Sequence, residues 1–409
     1  MLNKIWGSFF FLAFFVALGR WLFLGEEEIW AAMVSSTFDM AKVGFEIALG
    51  LTAVMCLWLG IMRLGEKGGA VDLMAKAFGP LMRRLFPGIP EGHPAMGSIV
   101  MNMAANMLSL DNAATPLGLK AMKELQTLNP SDDTASDDQI LFLVVNTSAV
   151  TVIPTTIFVY RAQMGAADPT DIFIPILIAT FCSTLTGLIV TAAFQKLKLW
   201  QPVVLAYLGG MAAFIVGVCL YFSSLDREAM ERQSSLISNF VIFTVIMTFL
   251  SLAAYRRQPV YEVFVDGAKE GFQVAVGIIP YLVAMLVAIG VLRTSGTLDL
   301  ALDGVRWSVE RIGIDSRWVD GLPTALMRPL SGSGARGLML ETMKEHGADS
   351  FAGRLVSTMQ GSTETTFYVM AVYFGAVGIR RTRHAVACGL TADVAGATAA
   401  ILVCYLFFG

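Results

Sequence analysis

Seven long stretches of apolar residues dominate the hydropathy pattern of this chain. Each is about 20 residues long, which is the length that an α-helix needs to cross a bilayer. They cover residues 6–24, 43–62, 171–194, 203–223, 236–254, 272–292 and 385–408. Three glutamates, rather than a small-residue cleavage site, follow the first stretch, so we interpret it as a retained helix, with a removed signal peptide as the alternative. The pattern predicts an all-α polytopic membrane protein.

Four further stretches are apolar but are interrupted by polar residues, glycine or proline. They cover residues 97–119, 141–160, 327–346 and 351–378. The first and third contain sharp-turn sequences and predict re-entrant helical hairpins, whereas the second and fourth predict broken transmembrane helices. In the first hairpin, Thr115 and Pro116 fit the N-cap and first position of a new helix. Because unpaired backbone groups are costly in hydrocarbon, we expect the four segments to converge around a buried, wet site.

Two parts of the chain repeat each other in sequence. Asp39-Met-Ala-Lys-Val-Gly-Phe45 and Asp266-Gly-Ala-Lys-Glu-Gly-Phe272 agree at five of seven positions, at an offset of 227. Weaker echoes follow in the same order at offsets of 221 and 210. We therefore predict a fused duplication, with one half at residues 1–200, a linking transmembrane helix at 201–230 and a second half at 231–409.

Lysine and arginine in the short loops predict the orientation of the halves, because positively charged loops stay in the cytoplasm. Lys4, the arginines and lysines of residues 63–84, and those of residues 380–384 all fall on the inner side in one consistent path. The N-terminus is then cytoplasmic and the C-terminus outside. The two halves run in opposite directions, which predicts two inverted-topology repeats, a recurring plan of transporters.

The overall composition excludes several classes of protein. Hydrophobic residues make up 56% of the chain and charged residues 15%, and the net charge of -3 includes no basic block suited to nucleic acid. The five cysteines and three histidines show no metal-ligand spacing, and no phosphate-binding loop is present. We therefore expect no cofactor, no metal, no ATP hydrolysis and no enzymatic activity.

The interrupted stretches supply the candidate substrate-binding residues. Charges at membrane depth are costly and are rarely accidental, so Asp111, Arg328, Arg336 and Glu364 stand out, although structural ion pairs are the alternative. Amides and hydroxyls complete the set, with hydrogen bonding between helices and helix capping as their alternatives. These are Asn102, Asn106, Asn112, Thr115, Asn146, Thr147, Ser148, Ser331, Ser333, Gln360, Ser362, Thr363 and Thr365.

The same segments carry a resemblance to a known family. Residues 106–125 resemble spore maturation protein A, whereas residues 266–272, 327–337, 360–368 and 395–408 resemble spore maturation protein B. Both belong to the nucleoside-recognition, or gate-domain, superfamily, which also includes pieces of concentrative nucleoside transporters and of the bacterial ferrous iron permease. The resemblance implies a bacterial inner membrane protein in which two normally separate chains are fused. It implies no particular substrate.

These observations favour a secondary transporter or permease for a small polar solute, either nucleoside-like or anionic. Coupling to Na+ or H+ would then fall to Asp111 or Glu364. The alternative is a non-transporting membrane factor of envelope or spore maturation that acts through protein partners. A membrane enzyme is the weakest interpretation, since the carboxylates have no accompanying His or metal-ligand pattern. The expected partners are the lipid bilayer and the solute. The sequence is also compatible with a homo-oligomer such as a dimer.

Overall fold

The computed structural model of this chain describes residues 2–107, 111–225 and 227–409. Regular structure in these ranges is helical, apart from an isolated bridge between Thr134 and Arg381. The helices are α1 (Leu2–Leu24), α2 (Ile29–Gly68), α3 (Ala70–Leu85), α4 (Pro94–Met107), α5 (Asp111–Gln126), α6 (Asp137–Thr147), α7 (Thr155–Gln163), α8 (Phe173–Gln195), α9 (Pro202–Ser223), α10 (Arg227–Tyr255), α11 (Val260–Thr294), α12 (Thr297–Arg311), α13 (Leu322–Met327), α14 (Gly332–His346), α15 (Phe351–Ser362), α16 (Thr366–Gly375) and α17 (Ala385–Phe408).

Seven of these helices are long and apolar enough to cross a membrane, and each coincides with one of the predicted spans, although α8 begins two residues after the start of the 171–194 stretch. They are α1, α2, α8, α9, α10, α11 and α17. Three extend well beyond the predicted stretches, since α2 has 40 residues, α10 has 29 and α11 has 35. The prediction of an all-α polytopic membrane protein is confirmed.

The two longest helices, α2 and α11, pack antiparallel along much of their length. Glycines allow the close approach: a Cβ added at Gly44 would lie 3.1 Å from the Cα of Val283, and one at Gly271 would lie 2.8 Å from the Cα of Cys56. Adding the sequence offset of 227 to 44 and 56 gives 271 and 283. The two contacts are therefore counterparts of each other at the sequence offset of 227.

The helical hairpins and the broken helices also form as predicted. In the first hairpin α4 and α5 pack together, and in the second α13 and α14 do so. Residues 148–154 separate α6 from α7, and residues 363–365 separate α15 from α16. One boundary prediction is wrong: α5 begins at Asp111, so Thr115 lies within the helix and not at its N-cap.

Each break lies near the middle of its broken helix. The helix before the second break, α15, has 12 residues and is ~18 Å long, and α16 after it has 10 residues and is ~15 Å long. The α8 and α17 helices pack against each other and against α6 and α15. The apolar helices thus surround two irregular backbone segments at the centre of the molecule.

Candidate functional site

Each hairpin contacts the broken helix that follows it in the chain. The backbone N–H of Val152 donates to the carbonyl of Met107 at 2.9 Å, at the end of α4. After α13, the carbonyl of Pro329 accepts from the N–H of Phe367 in α16, also at 2.9 Å. These bonds satisfy backbone groups that the breaks would otherwise leave unpaired at membrane depth.

The two breaks also meet each other. The backbone N–H of Glu364, in the second break, donates to the carbonyl of Thr147 at 2.7 Å, where the first break begins. The predicted convergence of the broken segments is therefore present. Two groups of polar side chains lie around this junction.

An amide chain occupies the first group. Asn146 Nδ2 donates to Asn102 Oδ1 at 2.6 Å, and Asn102 Nδ2 donates to the carbonyl of Ala114 in α5 at 2.7 Å. Both asparagines are buried, and the Tyr373 hydroxyl of α16 lies beside them. This chain joins the first hairpin to both broken helices, and it presents hydrogen-bonding groups that can serve packing or a ligand.

Arg328 occupies the second group, in the turn after α13. Its side chain is 10% exposed, and its Nε donates to the carbonyl of Thr363 at 2.7 Å. Its guanidinium also reaches Thr365 Oγ1 at 3.3 Å and Glu364 Oε2 at 3.3 Å. A fixed, always charged fork therefore holds the carbonyl and the side chains of the second break.

Glu364 differs from its neighbours in exposure. Its side chain is 50% exposed, although it lies in the break near the middle of the broken helix. A carboxylate facing hydrocarbon at that depth would be costly, so we interpret the exposed part as facing a wet space between the helices. Arg328 beneath it supplies a buried positive charge.

Sequence reasoning missed Asp393, which belongs to the same group. It lies within α17, is 6% exposed, and accepts a hydrogen bond from Thr366 Oγ1 at 2.7 Å. It was overlooked because it falls inside an apolar span that looked like an ordinary crossing. The available signal was its isolation, since it is the only Asp, Glu, Lys or Arg in α17.

The side-chain hydroxyls of several predicted residues form local hydrogen bonds. The hydroxyls of Thr147, Ser148 and Ser362 donate to carbonyls of their own helices, and Ser331 accepts from the N–H of Gly334 as the N-cap of α14. Ser333 Oγ lies 3.3 Å from Ser331 Oγ. These contacts match the capping and structural alternative.

The remaining predicted residues lie around the junction or outside the described side chains. Arg336 donates to the Tyr160 hydroxyl at 3.3 Å, and Thr115 is exposed on α5. Asn106 Nδ2 and Gln360 Oε1 are buried and have no hydrogen-bond partner among the described residues. Such orphaned atoms require an explanation, and a ligand or water is one. The side chains of Asp111 and Asn112 lie outside the described residues.

Ionic contacts tie the broken helices together at one end of the bundle. Arg161 of α7 is fully buried and binds the carbonyl of Ala348 at 2.7 Å, Asp171 at 2.9 Å and Asp349 at 3.0 Å. Arg354 of α15 binds the other oxygen of Asp171 at 2.7 Å. We call Arg161, Asp171, Asp349 and Arg354 the buried ionic cluster.

At the opposite end of the bundle, a second set of contacts joins the segment before α6 to the segment before α17. The N–H groups of Arg380 and Arg381 donate to the carbonyl of Asp133 at 2.8 and 2.9 Å. Arg383 pairs with Asp137 at 2.8 Å, and both side chains are exposed. The two ends of the bundle therefore differ. Buried ion pairs hold one end together, whereas backbone hydrogen bonds and an exposed ion pair hold the other.

A groove of about 1120 Å³ lies away from this junction, between α3 and α4. Lys76, Arg83, Arg84 and His93 are among its lining residues, and it contains none of the predicted site residues. Among the residues that the structure describes, no group of three or more His, Cys, Asp or Glu could hold a metal ion. The polar junction, and not this groove, is the candidate site.

Comparison with known proteins agrees with these features. Spore maturation protein B of Bacillus subtilis (strain 168) is 48% identical over 165 residues, which is 40% of this chain and 91% of that protein. Spore maturation protein A of the same organism is 38% identical over 194 residues, which is 47% of this chain and 95% of that protein. No solved structure matches the chain. The sequence model of the Gate family, described as nucleoside recognition, matches residues 48–167 and 275–380. The chain belongs to the Gate family of nucleoside-recognition proteins.

Proposed function

We propose that this protein is a secondary transporter or permease of a small polar solute in the bacterial inner membrane. The carrying observation is that two broken helices meet where buried Arg328 lies against half-exposed Glu364. A guanidinium beside a carboxylate and an amide chain can bind a solute that carries both hydroxyl and anionic groups. Nucleoside-like and anionic solutes are the classes that this chemistry favours.

The packing supports inverted halves, a recurring plan of transporters that work by alternating access. Gly44 contacts Val283, and Cys56 contacts Gly271. At the offset of 227, positions 271 and 283 are equivalent to positions 44 and 56, so each contact is the counterpart of the other. The order of elements from α1 to α8 recurs from α10 to α17, with α9 between them. In this proposal α9 is the extra crossing that lets one chain carry oppositely oriented halves, with the N-terminus inside and the C-terminus outside.

The experiment is uptake into proteoliposomes that contain the purified protein. A panel of nucleosides, nucleotides, amino acids and carboxylic acids is offered with and without Na+ or H+ gradients. At least one solute should move, and Glu364→Gln should abolish its movement while the variant keeps the melting temperature of the parent. Glu46→Gln is the matched control, because Glu46 forms an exposed pair with Lys42 on the surface of α2. Movement that Glu364→Gln leaves unchanged would contradict the assignment of the site.

A second candidate is a non-transporting factor of envelope or spore maturation that acts through protein partners. The printed names of the two Bacillus subtilis relatives favour it. In that case no solute in the panel moves, and the Glu364→Gln chain complements a deletion strain as well as the parent chain does. Uptake and complementation together separate the two functions.

A further inference from the structure

Asp393 is held against the second break by close helix packing. Gly389 and Gly396 lie one turn before and one turn after it on α17. A Cβ added at Gly389 would lie 2.7 Å from Thr366 Cγ2, and one added at Gly396 would lie 2.8 Å from Thr363 Cγ2. The aspartate therefore sits between two points where α17 touches the break, in a place with little room for water.

The charges around Asp393 do not balance. The charged groups that act on it most strongly in the described part of the chain are Arg328 and Glu364. Arg328 directs its hydrogen bonds to the second break and to Glu364. One guanidinium thus faces two carboxylates, and the group carries one negative charge in excess when both are ionised. A single added proton makes it neutral, and neutrality is favoured at membrane depth.

The other described contacts of this part of α17 are with uncharged residues. They are Ser183 and Gly187 of α8, Ser362 of α15, Thr363 in the second break, and Thr366 and Met370 of α16. Thr366 donates its hydroxyl hydrogen to Asp393, which favours the ionised form, whereas burial favours the protonated form. Because these two effects oppose each other, Asp393 can gain and lose a proton while the protein works.

We propose that Asp393 is a proton-binding site that couples proton uptake to the conformation of the second break. When Asp393 is ionised, its hydrogen bond from Thr366 and its attraction to Arg328 hold residues 363–366 against α17. When a proton neutralises it, that attraction is lost and the segment that carries Glu364 is held less firmly. The inference rests on the proposed function, and it assigns H+ coupling to a residue other than Asp111 and Glu364.

Infrared difference spectroscopy tests the site without any solute. Membrane-reconstituted protein is titrated with alkali while the carbonyl stretch of protonated carboxylic acid is followed. Other carboxyl groups contribute equally to both chains, so subtracting the Asp393→Asn titration from that of the parent chain should leave one protonated-carboxyl band that disappears as the pH rises. Asp133→Asn, which removes an exposed loop carboxylate, should keep the band. Identical titrations of the parent and Asp393→Asn would overturn the proposal.

A second variant tests the proposal if Asp393→Asn does not fold. Thr366→Val removes the hydroxyl but keeps the carboxyl group, and one hydrogen bond to a charged group corresponds to a shift of about 1 to 2 pH units. The band of Thr366→Val should persist to a pH higher by that amount, and an unchanged titration would contradict the proposal.

For a solute that moves in the uptake panel, Asp393→Asn should bind it but no longer respond to a pH gradient. Failure of uptake with a normal infrared titration would count against transport and not against the proton site.

Discussion

Replacement of Arg161 by methionine tests the buried ionic cluster. The guanidinium is fully buried and binds the carbonyl of Ala348 and the carboxylates of Asp171 and Asp349. Removal of its charge leaves Asp171 with Arg354 alone, and it leaves Asp349 without its cation. Loss of one partner from a fully buried pair costs about 3–5 kcal/mol, and because Asp349 is 36% exposed and Asp171 keeps Arg354, the expected cost is about 3 kcal/mol. We therefore expect Arg161→Met to lower the free energy of unfolding by about that amount.

The assay is unfolding in mixed detergent micelles, followed by helical circular dichroism. Arg256→Met is the matched control, since Arg256 pairs with Asp72 at 3.0 Å but both side chains are about half exposed. Such a surface pair contributes about 0–1 kcal/mol, so the control should unfold nearly as the parent does.

A double variant separates lost charge balance from lost packing. Asp349→Asn in the Arg161→Met background restores neutrality, since Asp171 and Arg354 then remain as a pair. Coupling between contacting residues is about 0.5–3 kcal/mol, and we expect the double variant to recover an amount in this range. An Arg161→Met variant within 1 kcal/mol of the parent would refute the reasoning that the cluster stabilises this end of the bundle.

Two further predictions concern packing and pH. Gly396→Ala should destabilise the protein by about 1–3 kcal/mol in the same assay, because its Cβ would press on Thr363 Cγ2, whereas Gly217→Ala, with open space around it, should not. His384 has a lowered pKa because of burial, and next because of Arg383, so the folded state favours neutral imidazole. The unfolded chain then takes up a proton more readily, and stability should fall as the pH drops below about 6.5. Thermal unfolding at pH 7.5 and 5.5 should show a smaller loss for His384→Asn than for the parent, and an equal loss would contradict the assignment.

Hydropathy was sufficient to predict the membrane-crossing helices and the broken ones. Each apolar stretch became a helix, and the clusters around Asn146 and Glu364 became breaks, because polar and proline residues at membrane depth disfavour a continuous apolar helix. Hydropathy did not give the full length of α2, whose ends pack against other helices and not against lipid alone.

The partners of polar residues could not be predicted in the same way. Asn102 and Asn146 lie 44 positions apart, and Arg328 contacts residues 35 to 37 positions away, so only the tertiary fold brings them together. The start of α5 was misplaced because Thr115 and Pro116 resemble a cap in isolation. Asp393 was missed because a single carboxylate hardly changes the mean hydropathy of a 24-residue helix.

Access of water to the polar junction tests the central claim most directly. Glu364→Cys is made in a chain whose five cysteines are replaced by alanine, and a membrane-impermeant thiol reagent is applied to sealed vesicles from each side in turn. The account predicts labelling from one face of the membrane and not from the other. Labelling from neither face, while the denatured chain reacts fully, would show a dry junction and contradict the account.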